Sequence, residues 1–289
     1  MTLGSILVTG ATSSLGQAVG RELRAKGYRA VGTVRSGQLE LLLPMFDCLL
    51  PFDLDETNSI PETEDTFEAI IHVASASVGS PAHLLQVTAL STSTLADFAI
   101  RNGASKIVHV SSMSIYGDIQ EPEVTTDTPV RHASPYGVAK WAAECYLHTV
   151  SDRLAAVSVR CPAIVGRRCH RNFLAQTIRA MQRGQSVIKL SNPNFFFNNV
   201  IHEETLAGFL IDLALNKQLG FEAVPVASIE AVRLEHLVTL MKEATDFRGT
   251  IEWVPSRTSP FTISVESALK LGFVPQTTLE TFNTWLQAL

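Results

Sequence analysis

The sequence has no CxxC pair, no run of like charge and no apolar stretch long enough to cross a bilayer. Its four cysteines, Cys48, Cys145, Cys161 and Cys169, are scattered. That is the pattern of reduced thiols in a cytoplasmic protein, not of a disulfide framework or a zinc ribbon. A net charge of −5 and a pI near 5.9, with no basic arm, argue against a general nucleic-acid binder. The most apolar run, LELLLPMFDCLLPF at 39–52, is interrupted by Pro44 and Asp47, so no membrane span is expected. No basic segment followed by an apolar stretch and a cleavage site opens the chain, and no secretory leader is expected either. Internal repeats and low-complexity tracts are missing. Two short motifs fail by one element each. The first glycine turn has its glycines at 10 and 16, which is not the GxGxxG spacing. His202-Glu203-Glu204 has Leu206 where HExxH needs its second histidine, so no metal site is expected.

The 289 residues, 46% of them apolar, suffice for one large two-lobed domain or two small ones. Ser5–Thr9 (SILVT) reads as a buried strand running into the turn GATSSLG. Apolar residues at helical spacing follow over Leu15–Lys26, and Gly27 stops them. A strand, a glycine turn and a helix N-terminus together make a phosphate site, because backbone N–H groups and the helix dipole face the anion. Tyr28–Val34 reads as the second strand, followed by Arg35 and Ser36. An acidic residue there would hold ribose hydroxyls, whereas a basic one accommodates a 2′-phosphate; Arg35 therefore points to NADP(H) over NAD(H). Asp53, in PFDLDE, either reaches the adenine side or caps the next turn.

Ala69–Ala74 (AIIHVA) has the continuous apolar character of a strand covered on both faces, with His72 as a satisfied core histidine. Ser80 and Pro81 start a helix that runs to about Asn102, with Gly103 as its stop. Lys106–Val110 is the next strand, ending in SSMSIYG. This alternation predicts an α/β protein built on a doubly wound parallel sheet. Such sheets bind ligands at the carboxyl ends of their strands, where Gly10, Arg35, Ser75 and Ser112 all fall.

The stretch SPYGVAKWAAE carries the chemistry. Ser134 suits a helix N-cap and Pro135 its first turn. Tyr136 and Lys140, four residues apart, then share one helix face. An ammonium near a phenol is expected to lower the phenol pKa, leaving it able to exchange a proton near neutral pH. Further on, Leu154–Cys161 reads as a strand and Asn172–Arg183 as a helix stopped by Gly184. The aromatic cluster in SNPNFFFNNVIH either lines a pocket or plugs the junction between lobes, and the plug is the expectation.

At this point the sequence resembles the extended short-chain dehydrogenase/reductase family, the NAD(P)-dependent epimerase/dehydratase family. The resemblance rests on TGATSSLG (9–16), FDL (52–54), HVAS (72–75), SSMSIYG (111–117), SPYGVAK (134–140), VRCPAIVG (159–166), VIHEETLA (200–207), ALKLGFVP (268–275) and LETFNTWL (279–286), in that order. It implies a Rossmann-type core over 1–165. It also implies a mostly substrate-binding lobe over 166–289, with some segments returning to the core. Carried over by position, the catalytic serine is Ser112, the tyrosine Tyr136 and the lysine Lys140, with Ser111 as the competing serine. The cofactor would be held by Gly10, Thr12, Ser13, Ser14, Leu15, Gly16, Arg35, Asp53, Leu54, Ala74 and Ser75, together with Tyr136 and Lys140. The implied activity is hydride transfer between a nicotinamide and a carbinol or carbonyl carbon. An epimerase or dehydratase of a sugar or nucleotide sugar, an NADPH-dependent carbonyl reductase, and a non-catalytic dinucleotide sensor remain as readings. A homodimer through the helices near 83–102 and 134–150 is implied as well.

Three positions depart from the family pattern. Ser13 replaces the middle glycine of the turn, which requires negative φ there or a shifted turn. Thr88 aligns with a helix asparagine that often orders a water. Asn198 aligns with an arginine that holds diphosphates in many members.

Overall fold

The computed structural model describes residues 3–35, 44–56, 60, 63, 65–168, 171–216, 219–256 and 259–289. Ser36, Cys169 and residues 39–43 of the apolar run lie outside them. In chain order the first half contains β1 (Leu3–Thr9), α1 (Ser14–Ala25), β2 (Tyr28–Val34), β3 (Cys48–Pro51), β4 (Ala69–His72), α2 (Pro81–Leu84), α3 (Ser91–Arg101), β5 (Lys106–Ser112), β6 (Glu123–Val124), α4 (Pro135–Thr149) and β7 (Ala155–Cys161). The second half adds β8 (Ala163–Val165), α5 (Phe173–Gln182), β9 (Val187–Leu190), β10 (Phe196–Phe197), β11 (Val200–His202), α6 (Glu203–Leu215) and β12 (Phe221–Pro225). Helices α7 (Leu234–Ala244), α8 (Glu266–Lys270) and α9 (Thr278–Leu286) close the chain.

Seven strands form one all-parallel sheet in the order β12-β7-β5-β4-β1-β2-β3. The order reverses at β1, the switch point at which open α/β sheets bind ligands. Strand alternation sorts the sheet residues onto two faces. Ile6, Val8, Ile71, Val108 and Val157 pack with Leu15, Val19 and Leu23 of α1 and Leu206 and Leu210 of α6. Leu7, Val31, Ile70, Ile107 and Ala156 pack on the opposite face with Leu95 and Phe98 of α3 and Leu147 of α4. Both faces are covered, which is why these strands read as unbroken apolar runs.

A further apolar cluster joins Leu174, Ile178 and Met181 of α5 to Leu234, Leu237 and Met241 of α7 and to Phe282 and Trp285 of α9. Strand β12, although it follows this lobe's first elements, returns to the main sheet beside β7.

Two expectations need correction. The helix from Ser80 is not continuous: Leu85–Leu90 form a π-helical turn between α2 and α3, an irregularity that periodicity does not reveal. The run AIIHVA stops being strand at His72, and Val73 and Ala74 turn into the wall of a cleft.

Candidate active site

The glycine turn is built from backbone constraints. Gly10 has φ +73°, and a Cβ there would stand 3.0 Å from the backbone of Ala74. A Cβ on Gly16 would meet the Gly10 carbonyl oxygen at 2.2 Å. Ser13 keeps φ at −75° and caps α1. Its Oγ accepts the Gly16 N–H at 3.0 Å and donates to the Gly10 carbonyl at 2.8 Å. Serine thus replaces a glycine here without strain, and gains a cap. The strand–turn–helix geometry and the glycines that keep the turn free of Cβ atoms fit a dinucleotide pyrophosphate.

Of the site residues expected from sequence, all but Gly16 and Lys140 line a single cleft of about 740 Å³. Gly16 lies behind the turn and Lys140 beneath the floor, 1% exposed. Arg35 follows the end of β2 and Asp53 the end of the neighbouring β3, and both line the cleft. The Asp53 carboxylate accepts the Asp55 N–H at 3.1 Å, capping the turn while it lines the cleft.

Helix α4 begins as its sequence indicates: Ser134 accepts the Gly137 N–H at 3.2 Å, and Pro135 occupies the first turn. Tyr136 is thereby placed at the cleft, which Ser75 and Ser112 also line; the Ser112 Oγ is paired with Ser114, donating to its hydroxyl and accepting its N–H, both at 3.1 Å. The expected lowering of the phenol pKa is not what the structure shows. Burial, the largest influence, pushes the Tyr136 phenol up; Ser75, Ser112 and the Arg171 guanidinium act the other way. Lys140 is turned from the phenol by other partners. Its Nζ donates to the Val110 carbonyl at 2.6 Å and lies 3.4 Å from His109 Nε2. Burial, opposed by Cys161 and Glu144, brings its pKa down to about 8.

The two adjacent serines both border the cleft but differ in their partners. Ser111 is 2% exposed and its Oγ donates to Glu144 Oε1 at 2.5 Å, inside the ion pair between Glu144 and Arg160. Ser112 faces the cleft. Beyond it a second cavity of about 310 Å³ is lined by Met113, Phe173, Phe197, Asn199 and Phe261. The three adjacent phenylalanines divide their roles. Phe195 and Phe197 pack into the lobe core, Phe197 also bounds the cavity, and Phe196 lies outside under Arg233. Asn198 is an internal tie. Its Nδ2 donates to the Ser228 and Ile263 carbonyls at 3.1 and 2.8 Å, and its Oδ1 accepts the Ile263 N–H at 2.9 Å. Thr88 is buried in the π-helical turn, its hydroxyl unpartnered among the described residues.

Two cleft residues were not singled out from sequence. Arg171 lies on the wall near Tyr136, and its Nη1 donates to Ser77 across the cleft at 3.2 Å. Glu203 is buried against the glycine turn, where Ser14 Oγ donates to it. Arg171 belongs to no motif, and Glu203, although inside the VIHEETLA stretch, had no role assigned to it; only the meeting of the two halves of the chain brings them here.

A reversed-order parallel sheet with a glycine turn, a serine and a tyrosine on one cleft defines a Rossmann-type dinucleotide-binding protein. Comparison with known proteins narrows the class. The profile of the NAD dependent epimerase/dehydratase family matches residues 6–195, and the chain belongs to that family. It is 34% identical over 157 residues to a UDP-glucose 4-epimerase of Mycolicibacterium smegmatis, covering 49% of this chain and 50% of that protein. It is 28% identical over 157 residues to a dTDP-glucose 4,6-dehydratase of Streptomyces niveus, covering 48% and 47%. The match thus spans about half the length of these curated relatives. The fold extends further. MoeE5 in complex with UDP-glucose and NAD superposes with a TM-score of 0.81 at 24% identity, over 99% of this chain and 98% of that one. The UDP-Glc/GlcNAc 4-epimerase of Campylobacter jejuni does so with a TM-score of 0.82 at 16% identity, over 99% and 98%.

Proposed function

We propose that this protein is an enzyme that oxidises or reduces a carbinol/carbonyl carbon with a nicotinamide dinucleotide. The observation that carries this reading is that Tyr136, Ser75 and Ser112 line the same cleft as the glycine turn. A bound nicotinamide supplies or accepts the hydride, chemistry that belongs to the cofactor. The protein's share is alignment and charge placement. Ser112 hydrogen-bonds the reacting oxygen and Tyr136 gives or takes its proton; Lys140 would reach a nicotinamide ribose only by leaving the Val110 carbonyl. The raised phenol pKa makes Tyr136 a proton donor at rest, as reduction of a carbonyl requires.

NADP(H) is favoured over NAD(H) on the strength of Arg35 at the end of β2, where a 2′-phosphate is met. The relatives' names support an epimerase or dehydratase of sugar nucleotides. Asn198, whose amide is spent within the lobe, and the aromatic wall of the second cavity favour a carbonyl reductase of a small substrate. We place the cofactor core in residues 1–165 and the substrate-holding surface mostly in the remainder. A homodimer would cover the exposed Leu90, Val138 and Trp141, and a cytoplasmic location agrees with the unpaired Cys48, Cys145 and Cys161.

The reading is tested by Ser112→Ala. Cofactor binding, followed by NAD(P)H fluorescence, should be retained. Turnover followed at the nicotinamide absorbance should fall by about 10²-fold or more, the loss typical of one oxyanion donor. Unchanged turnover would remove Ser112 from the mechanism.

A further inference from the structure

Glu203 is a buried carboxylate that the proposed reaction does not use. It opens α6, is 2% exposed and lies on the cleft wall beside the glycine turn. Two donors hold it: the Ser14 hydroxyl in close contact with Oε2, and the Arg167 N–H with Oε1 at 3.1 Å. The chain makes room for it, since a Cβ on Gly166 would stand 2.1 Å from Glu203 Cδ. Ser14 is the first residue of α1, so the carboxylate sits at the helix pole that attracts anions. That pole has already spent part of its donor capacity, because the Gly16 N–H goes to Ser13 Oγ and the Ser13 N–H to the Gly10 carbonyl.

We propose that the Glu203 carboxylate is an internal competitor for the pyrophosphate of a dinucleotide at the glycine turn. The inference rests on the reading of this cleft as a nicotinamide-dinucleotide site. An incoming pyrophosphate meets a fixed negative charge and a Ser14 hydroxyl already engaged. Two anions cannot both be satisfied at one helix pole in a partly dry cleft. Binding therefore moves the carboxylate off Ser14 and releases that hydroxyl to the ligand. Glu203 thus lowers dinucleotide affinity while holding the turn against the second half of the chain in the free protein.

Glu203→Gln removes the charge but keeps an oxygen to accept from Arg167. It should bind both NADH and NADPH roughly tenfold more tightly than the native protein, the scale of one close like charge. Adenosine, which lacks phosphate, should bind the two proteins equally. In a crystal structure of the native protein with NADH, a measurement that needs no variant, the carboxylate should have left Ser14. Equal or weaker dinucleotide binding by Glu203→Gln would overturn the proposal, as would a complex in which the Ser14–Glu203 bond persists. If neither protein bound NADH or NADPH, the dinucleotide reading itself would fall, and this proposal with it. Binding by the variant alone would be the competition in its strongest form.

Discussion

At the scale of single residues, the site depends on differences between chemically similar neighbours. Ser111 and Ser112 are chemically identical and both border the cleft, yet strand alternation sends the Ser111 hydroxyl to the Glu144–Arg160 ion pair and leaves that of Ser112 to Ser114. Alternation was legible in the sequence, and the choice of Ser112 followed from motif position; what Ser111 does was not, because Glu144 and Arg160 lie far along the chain. The phenol shows the same limit. The spacing of Tyr136 and Lys140 correctly placed them on one helix face, but it carried no information about the Val110 carbonyl that takes the ammonium. Nor did it reveal that burial would raise the phenol pKa. Arg35 is the residue from which cofactor choice was read directly. Replacing Arg35 by Ala should weaken NADPH binding by about tenfold or more and leave NADH binding nearly unchanged, the result of losing one charge-assisted phosphate contact. Equal losses for the two cofactors in fluorescence titrations would contradict the assignment.

At the scale of elements, adjacent parallel strands set a row of polar groups through the middle of the sheet. In register, β4 places His72 beside His109 of β5, and His109 beside Ser158 of β7. His72 Nδ1 is 2.7 Å from Thr9 Oγ1 and its Nε2 is 3.0 Å from Thr92 Oγ1. The Thr92 hydroxyl donates to the Thr88 carbonyl at 2.6 Å, so His72 must carry its proton on Nε2 and accept from Thr9. Thr9 Oγ1 in turn accepts the Ala74 N–H at 3.1 Å, which fixes the cleft wall. Burial, aided by the Lys140 charge, brings the His72 pKa down to about 3 and carries that of His109 well below its ordinary value.

Both histidines are thus neutral in the fold and titrate near 6.5 when unfolded. Below pH 6.5 the unfolded chain takes up protons that the native state refuses, so stability falls as pH falls. Urea midpoints should change little near pH 7.5 and begin to fall as the pH approaches 6.5. Below that each histidine should take away up to about 1.4 kcal/mol per pH unit, in the His72 case down to about pH 3. A midpoint unchanged between pH 6.5 and 5 would refute the neutral pair. The sequence made His72 legible as a core residue through the apolar run around it. The row itself needed the strand register, and the π-helical turn that carries Thr88 left no mark on the periodicity.

At the scale of the whole molecule, the two halves are stitched by groups that no single element explains. The alternation of strands and helices gave the sheet, its covered faces and the shared rim. The lobe was less legible, because its strands are as short as two residues and its packing joins segments far apart in sequence. Asn198 shows this best: it takes an arginine's place in the family pattern, yet it holds Ser228 and Ile263 together rather than facing a ligand. Asn198→Ala leaves the buried Ile263 N–H and two carbonyls without partners, and should cost about 2–4 kcal/mol in urea unfolding. A loss below about 0.5 kcal/mol would show that the tie is dispensable.

The account as a whole requires the Tyr136 hydroxyl to exchange a proton with substrate at the nicotinamide. Tyr136→Phe removes that oxygen and little else. Turnover, measured at the nicotinamide absorbance, is predicted to drop at least about 10³-fold while NAD(P)H binds as before, within the range for a lost acid–base group. Turnover within a few-fold of the native protein would contradict the enzymatic role and leave a cleft that binds dinucleotide without acting through it.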